Sequence, residues 1–401
     1  MVALLTSLEA AQRGGLFGFE PRLWLTTFGH MVIDSNPALL FALVPVIVLH
    51  LRIDFAHAGA LVTVLLVTST ITQPLFGLVQ DWRPGFPMAS LGLLVAGSAM
   101  AATGFVAAFA QMLALVIVAG LGIAAFHPQA VAQAARASAG RTEWGIAVFF
   151  AGGSTGTAIM SLVIVPLAAA FGTHATIVAL VPAAVAASLF LRGHDSVGVA
   201  AASAARRESS MRSSVRAVRF PLSMLLAISI LRSAVLTAYL AFLPALATYR
   251  SGNLGVGAAA LAAFLLAGSA GALVGGAAAH AYGSASVVTA SLIAGMLALL
   301  PTPWLPAPVL VPWMFFAGIL FFASEAQVTA IAQRLLPAFA GIASSLMMGI
   351  GLGIGNIGAF GAGAIADRRG IPYALTSVTL LMAPAIAASL AYMAAIRAAR
   401  A

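Results

Sequence analysis

The chain has 401 residues, of which 62 % are hydrophobic and only 29, or 7 %, are charged, against about a quarter in a soluble domain. So few charges cannot cover a water-soluble particle of this size, and the absence of cysteine and lysine removes disulfide frameworks, thiolate metal sites, Schiff-base lysines and phosphate-loop lysines. The net charge of +9 comes from arginines scattered between apolar runs rather than gathered on one polar face, which describes a membrane topology and not a nucleic-acid surface.

Residues 1–21 carry Glu9, Arg13 and Glu20 and lack the order of a signal peptide, so they are expected to stay as a cytoplasmic N-terminal segment. Apolar runs long enough to cross a bilayer, about 20 residues each, then predict helices over 22–50, 58–80, 87–109, 111–136, 144–170 and 173–191. The stretch 192–219, rich in Ser, Ala and Arg, reads as a flexible cytoplasmic linker. Six more helices follow over 220–249, 256–280, 284–301, 308–334, 339–366 and 371–396, before a short tail at 397–401. The expected fold is therefore all-α and polytopic, with twelve transmembrane helices in two six-helix bundles, 22–191 and 220–396.

The arginines set the orientation. Fourteen lie in the termini, the linker and alternate loops, whereas only Arg52, Arg250, Arg368 and Arg369 lie on the other side and Arg232 falls within a helix. The positive-inside rule then places both termini and the linker in the cytoplasm. A gap-free shift of 198 residues superimposes Gly59 on Gly257, Gly77 on Gly275, Gly85 on Gly283, Gly97 on Gly295, Gly120 on Gly318, Gly153 on Gly351 and Gly172 on Gly370. Seven coincidences exceed the roughly two expected by chance, and glycine marks close helix contacts in membranes. Two parallel six-helix repeats describe the major facilitator architecture, whose substrate sits at the midplane between the halves.

All but three charged residues fit loops or helix ends. The exceptions are Asp34 in predicted helix 1, Arg232 in helix 7 and Glu325 in helix 10. A charge at mid-bilayer costs at least about 2.5 kcal/mol, so such groups face a cavity or a partner. The 198-residue shift puts Asp34 on Arg232 and His127 on Glu325. His30, one turn before Asp34, shares its helix face. Two readings of the charges stay open: Asp34 and Arg232 bridge the halves in a structural or gating pair, or Asp34, Glu325 and His30 carry protons while Arg232 and His127 meet substrate.

Other motifs are less charged. Gly77, Asp81 and Arg83 end helix 2 as a gating motif, with glycine for close helix approach and Asp81 to cap a neighbouring helix. Gly152, Gly153 and Gly156 in helix 5, and the glycine run from Gly349 to Gly363 in helix 11, provide smooth packing faces or hinges. Gln129, Tyr239, Phe149 and Trp313 are further candidates for substrate contact. No metal-ligand cluster, nucleotide loop or nucleophile triad stands out, so neither an enzyme nor a cofactor is expected.

Gly29, His30 and Asp34, the segment from Gly77 to Arg83, Phe126, His127 and Pro128, and Gly152, Gly153 and Gly156 together resemble the fosmidomycin-resistance family of major facilitator transporters. The likeness runs over essentially the whole chain and is strongest in the first half. It implies a bacterial inner-membrane protein and export of a small compound, fosmidomycin being an anionic phosphonate, in exchange for protons. This chain has Ile33 and Gln129 where that family has Asn before the helix 1 acid and Glu after His-Pro, and its helix 5 proline is displaced to Pro166. The expectation is a monomeric, proton-coupled exporter of an anionic or amphiphilic compound. Import of an organic anion or sugar-like metabolite through the same cavity, or a sensor that transports nothing, are the competing readings.

Overall fold

A computed structural model describes residues 19–83, 85–138, 142–192, 214–339, 343 and 345–398, and every regular element among them is helical. α1 (Pro21–Leu51) starts on a proline whose missing N–H costs nothing there. Inside α1, Pro37 leaves the Ile33 carbonyl without its usual donor, and the Asn36 amide fills the gap by donating to Val32 and Ile33 carbonyls, both at 3.0 Å. α2 runs as Phe55–Ile71 and then Gln73–Trp82, interrupted where Pro74 enters the second segment. α3 (Met88–Ala102), α4 (Phe109–Arg136), α5 (Thr142–Phe171) and α6 (Leu180–Arg192) complete the first bundle.

Among the described residues, eleven apolar helical stretches are long enough to cross a membrane, one of them Gly145–Arg192 with 48 residues. At 1.5 Å per residue that stretch would reach about twice the hydrocarbon thickness. It divides at Gly172, whose φ of +62° suits a residue without Cβ, into α5 and a 3-10 turn leading to α6. The expected twelve helices follow.

The second bundle comprises α7 (Arg219–Ser251), α8 (Leu254–Tyr282), α9 (Ser284–Leu299), α10 (Ala307–Phe322 and Glu325–Leu335), α11 (Leu352–Gly355 and Gly358–Arg369, preceded by a π-helical turn Ser345–Gly351) and α12 (Ile371–Thr379 and Met382–Ala398). Helices 10 and 11, predicted as continuous, are broken, and predicted helix 3 stops at Ala102 rather than at 109. Hydropathy averaged over a whole span does not see such breaks, because one polar residue, Glu325 or Asn356, hardly changes the mean of the apolar run around it. Most of the predicted linker, 193–213, lies outside the described residues.

Lipid tails give no hydrophobic drive between helices, so the helices associate by close packing. A Cβ on Gly152 would meet Thr27, and one on Gly156 would meet the Met31 backbone, so the glycine face of α5 lies directly against α1. Gly92 and Gly122 do the same between α3 and α4. Between the halves, α1 touches α7, α2 touches α11 and α5 touches α8. Below, "terminal end" means the end of the bundle where α1 begins and α12 finishes, and "loop end" the opposite one.

Candidate functional site

Among the described residues, two clusters of ionisable side chains lie within the helices, one in each half. In the first, α1 presents His30 and Asp34 one turn apart, with His30 Nε2 3.0 Å from Asp34 Oδ2. His127 of α4 approaches the other carboxylate oxygen, Nε2 to Oδ1 3.6 Å. The His30 ring lies flat on Phe149 of α5, centroids 4.0 Å apart and planes within 5°. Its Nδ1–H donates to the Phe149 carbonyl oxygen at 2.7 Å. His127 Nδ1–H donates to the Ile123 carbonyl oxygen at 2.8 Å. Gly153 makes the cluster possible, since a Cβ there would fall on the His30 ring and the Asp34 carboxylate. Thr157, one turn further along α5, donates to the Asp34 backbone carbonyl at 2.8 Å.

These partners fix the tautomers. A carbonyl oxygen only accepts, so both histidines carry a proton on Nδ1. Both Nε2 atoms therefore face a carboxylate that, when ionised, can only accept as well. A neutral imidazole would set lone pair against lone pair, so the 3.0 Å contact requires a further proton on either His30 or Asp34. The three ligand atoms lie within 4.8 Å of one another, and no other set of three among the described residues converges in this way. The spacing suits one small cation, and a proton is the cation that the hydrogen-bond arithmetic calls for. Asp34 keeps 30 % of its side-chain surface exposed, so the surrounding helices do not seal the cluster off.

In the second cluster Arg232 of α7, its side chain only 4 % exposed, holds Glu325 of α10, Nη2 to Oε1 3.2 Å. Glu325 sits in the first turn after the break in α10, where unpaired backbone N–H groups favour a carboxylate. The guanidinium carbon lies 5.0 Å from the Phe321 ring centroid, a cation–π contact from the turn before the break. The other terminal nitrogen, Nη1, is buried with no hydrogen-bond partner among the described residues. Glu325 is 44 % exposed.

The structure thus brings together His30, Asp34, His127 and Phe149 in one half, and Arg232 and Glu325 in the other. It does not pair Asp34 with Arg232 across the halves, the first of the two sequence readings; each charge finds its partner within its own bundle. Three expected substrate contacts are engaged elsewhere. Gln129 is buried and caps α3, its Oε1 accepting the Ala89 N–H at 2.7 Å. The Tyr239 hydroxyl is fully buried and bonds the Leu299 carbonyl and Thr379 at 2.9 and 3.1 Å. Trp313 donates its indole N–H to the Ala298 carbonyl at 2.8 Å. Each of the three spends its polar group on holding neighbouring segments together.

Gly77 has nothing within 4 Å of a Cβ built on it, so the close approach expected there is not made. Arg83 is exposed at the end of α2, and the side chain of Asp81 lies outside the described residues. Sequence reasoning passed over Thr157 and Phe321. The available signal was spacing: Thr157 lies one turn after Gly153, and Phe321 one turn before Glu325.

The family described as Major Facilitator Superfamily matches residues 23–356. The chain is similar to YfnC, an MFS-type transporter of Bacillus subtilis (strain 168), at 25 % identity over 371 residues and 90 % of each chain. It is also similar to the fosmidomycin resistance protein of Escherichia coli (strain K12), at 24 % identity over 359 residues and 86 % of each chain. Among solved structures, the D323A mutant of the nucleoside transporter NupG superimposes with a TM-score of 0.73 at 15 % identity, covering 93 % of this chain and 99 % of its own. A bacterial homologue of the human lysosomal transporter Spinster gives 0.73 at 13 % identity, covering 92 % and 96 %.

Proposed function

The chain belongs to the major facilitator superfamily, and from that premise we propose that it exports a small anionic or amphiphilic compound in exchange for protons, by alternating access. That it is a multi-pass membrane transporter of a small molecule, and not an enzyme, follows from the family and the fold. The observation that carries the finer reading is the pair of clusters: a proton-sharing group on α1 and α4, and a buried guanidinium with one unmet donor on α7.

Arg232 is the anchor for the substrate's negative group. Its Nη1 lacks an acceptor among the described residues, and a carboxylate or phosphonate oxygen would supply one in a charge-assisted bond. The same incoming anion competes with Glu325 for the guanidinium. His30, Asp34 and His127 hold the coupling proton, because that cluster cannot be satisfied without one. Phe149, flat against His30, keeps the ring in register. Both termini lie in the cytoplasm of a bacterial inner membrane, a reading supported by the arginine distribution. The fosmidomycin resistance protein among the relatives supports an anionic phosphonate as the first cargo to try and efflux as the direction.

The test is pH-gradient-driven flux of fosmidomycin in inverted against right-side-out vesicles, alongside a carboxylate and a neutral nucleoside. Accumulation of the phosphonate in inverted vesicles, driven by an acidic interior and collapsed by an ionophore, is the expected result. Flux of only the neutral compound, or flux indifferent to the proton gradient, would overturn the reading.

A further inference from the structure

At the loop end one half of the molecule caps a helix of the other. α2 begins with N–H groups that have no partner inside the helix. Asp54, the N-cap, takes the His57 N–H at 2.8 Å. The Phe55 and Ala56 N–H groups instead donate to the two oxygens of Asp367, at 2.7 and 2.8 Å, and Asp367 stands at the end of α11 in the opposite bundle. A carboxylate on a helix N-terminus gains both charge-assisted hydrogen bonds and the favourable end of the helix dipole.

Beneath this cap the backbones of α2 and α11 touch directly. A Cβ on Gly59 would meet Ala359, and one on Gly363 would meet Phe55 and Ala56. One turn deeper, the Thr63 hydroxyl donates to the Asn356 carbonyl at 2.9 Å and accepts the Phe360 N–H at 3.1 Å. Asn356 marks the break in α11, after a π-helical turn and a four-residue helical piece. Its side chain makes long contacts to Thr70 of α2 and to Ser233 of α7, at 3.5 and 3.4 Å. Ser233 is the neighbour of Arg232. Breaks and π turns are where membrane helices bend, so the outer piece of α11, Gly358–Arg369, can tilt about Asn356 and carry Asp367 away from α2. The sequence spells Gly-x-x-x-Asp-x-Arg twice, at 77–83 and at 363–369, at the far ends of α2 and α11.

We propose that Asp367 is the latch that holds the loop end shut and Asn356 the pivot on which it releases, so that these two residues position the transporter between its two facing states. A static cap would stabilise α2 in every state. A latch shifts the balance between states, because its bonds exist only while α2 and α11 are together at this end. The inference concerns the conformational balance and stands whether or not the assigned cargo and coupling ion are right.

Distances measured by electron spin resonance test it on the full-length protein, which has no cysteine of its own to mislabel. One nitroxide pair, Ile177→Cys with Tyr373→Cys, spans the halves at the loop end, and a second, Trp82→Cys with Tyr282→Cys, spans them at the terminal end; all four positions are more than half exposed. Asp367→Asn keeps the shape, removes the charge and leaves one accepting oxygen. The expected result is a rise of about tenfold in the population with a longer loop-end distance, together with a shorter terminal-end distance. Thr63→Val, which removes the hydroxyl relay alone, should give a smaller shift in the same two directions and serves if Asp367→Asn does not fold. Distributions unchanged at both ends, or a loosened loop end with the terminal end unmoved, would overturn the latch in favour of a static cap.

Discussion

The two halves place ionisable groups at equivalent positions with the polarity exchanged. In the first, the acid is on α1 and the base on α4; in the second, the base is on α7 and the acid on α10, and each pair is closed within its own half. The chemistry differs as much as the sign. Histidine changes charge near neutral pH, whereas arginine stays charged throughout. One half is thus suited to gain and lose a proton and the other to present a constant positive charge. A single repeat geometry supplies both, because the backbone fixes where a side chain projects and leaves its chemistry free.

The contrast is sharpest at Asp34. Asp34→Asn should abolish proton-driven accumulation while leaving substrate exchange between equal concentrations measurable in proteoliposomes. Accumulation that persists with its pH dependence intact would remove the first cluster from coupling. Next in size, Arg232→Ala should weaken an anionic substrate by about tenfold to a hundredfold and leave a neutral analogue nearly unchanged in a binding titration. Equal losses for both would make Arg232 a structural residue and erase the difference between the halves.

Two smaller effects concern the scaffolding. Gly153→Ala forces a methyl against His30 and Asp34 and should cost about 1–3 kcal/mol by thermal melting, as overpacking does. It should also displace the pH profile of transport. Gly351, its repeat counterpart, faces the Ser229 side chain rather than a charged cluster; Gly351→Ala should leave the pH profile alone, and an identical displacement from both variants would break the contrast.

The smallest effect lies at the helix starts. The His57 N–H, followed by the His57 ring, holds the Asp54 carboxyl below its ordinary range. A depressed carboxyl contributes its stability above the unfolded value of about 4 and loses it as pH falls through the folded value. Protection of the His57 amide, its exchange rate compared with that of an unstructured amide at the same pH, should therefore fall below about pH 4. The start of α8, where Asn253 accepts the Gly255 N–H at 2.7 Å, has no titrating cap and should show no such change. Parallel behaviour at both starts would show that Asp54 is not the determinant.

Much of this was legible early because charge is so scarce. Asp34, Arg232 and Glu325 stood out against apolar runs, and the 198-residue repeat related them before any contact was known. Scarcity of charge said nothing about Gln129, Tyr239 and Trp313, whose polar groups cap and brace neighbouring helices. The breaks at Glu325 and Asn356 were hidden as well. A helix end within an apolar run changes hydrogen bonding and not hydropathy.

By itself the sequence determined the solvent, the number of spans and the repeat, since these follow from local composition and from the free energy of placing charge in lipid. Only the tertiary structure decided the partners. It placed Asp34 with two histidines rather than with Arg232, left one guanidinium nitrogen unmet, and set Asp367 on a helix more than three hundred residues earlier in the chain. Pairing depends on angstrom-scale approach between helices, which the glycine faces permit and no one-dimensional pattern encodes.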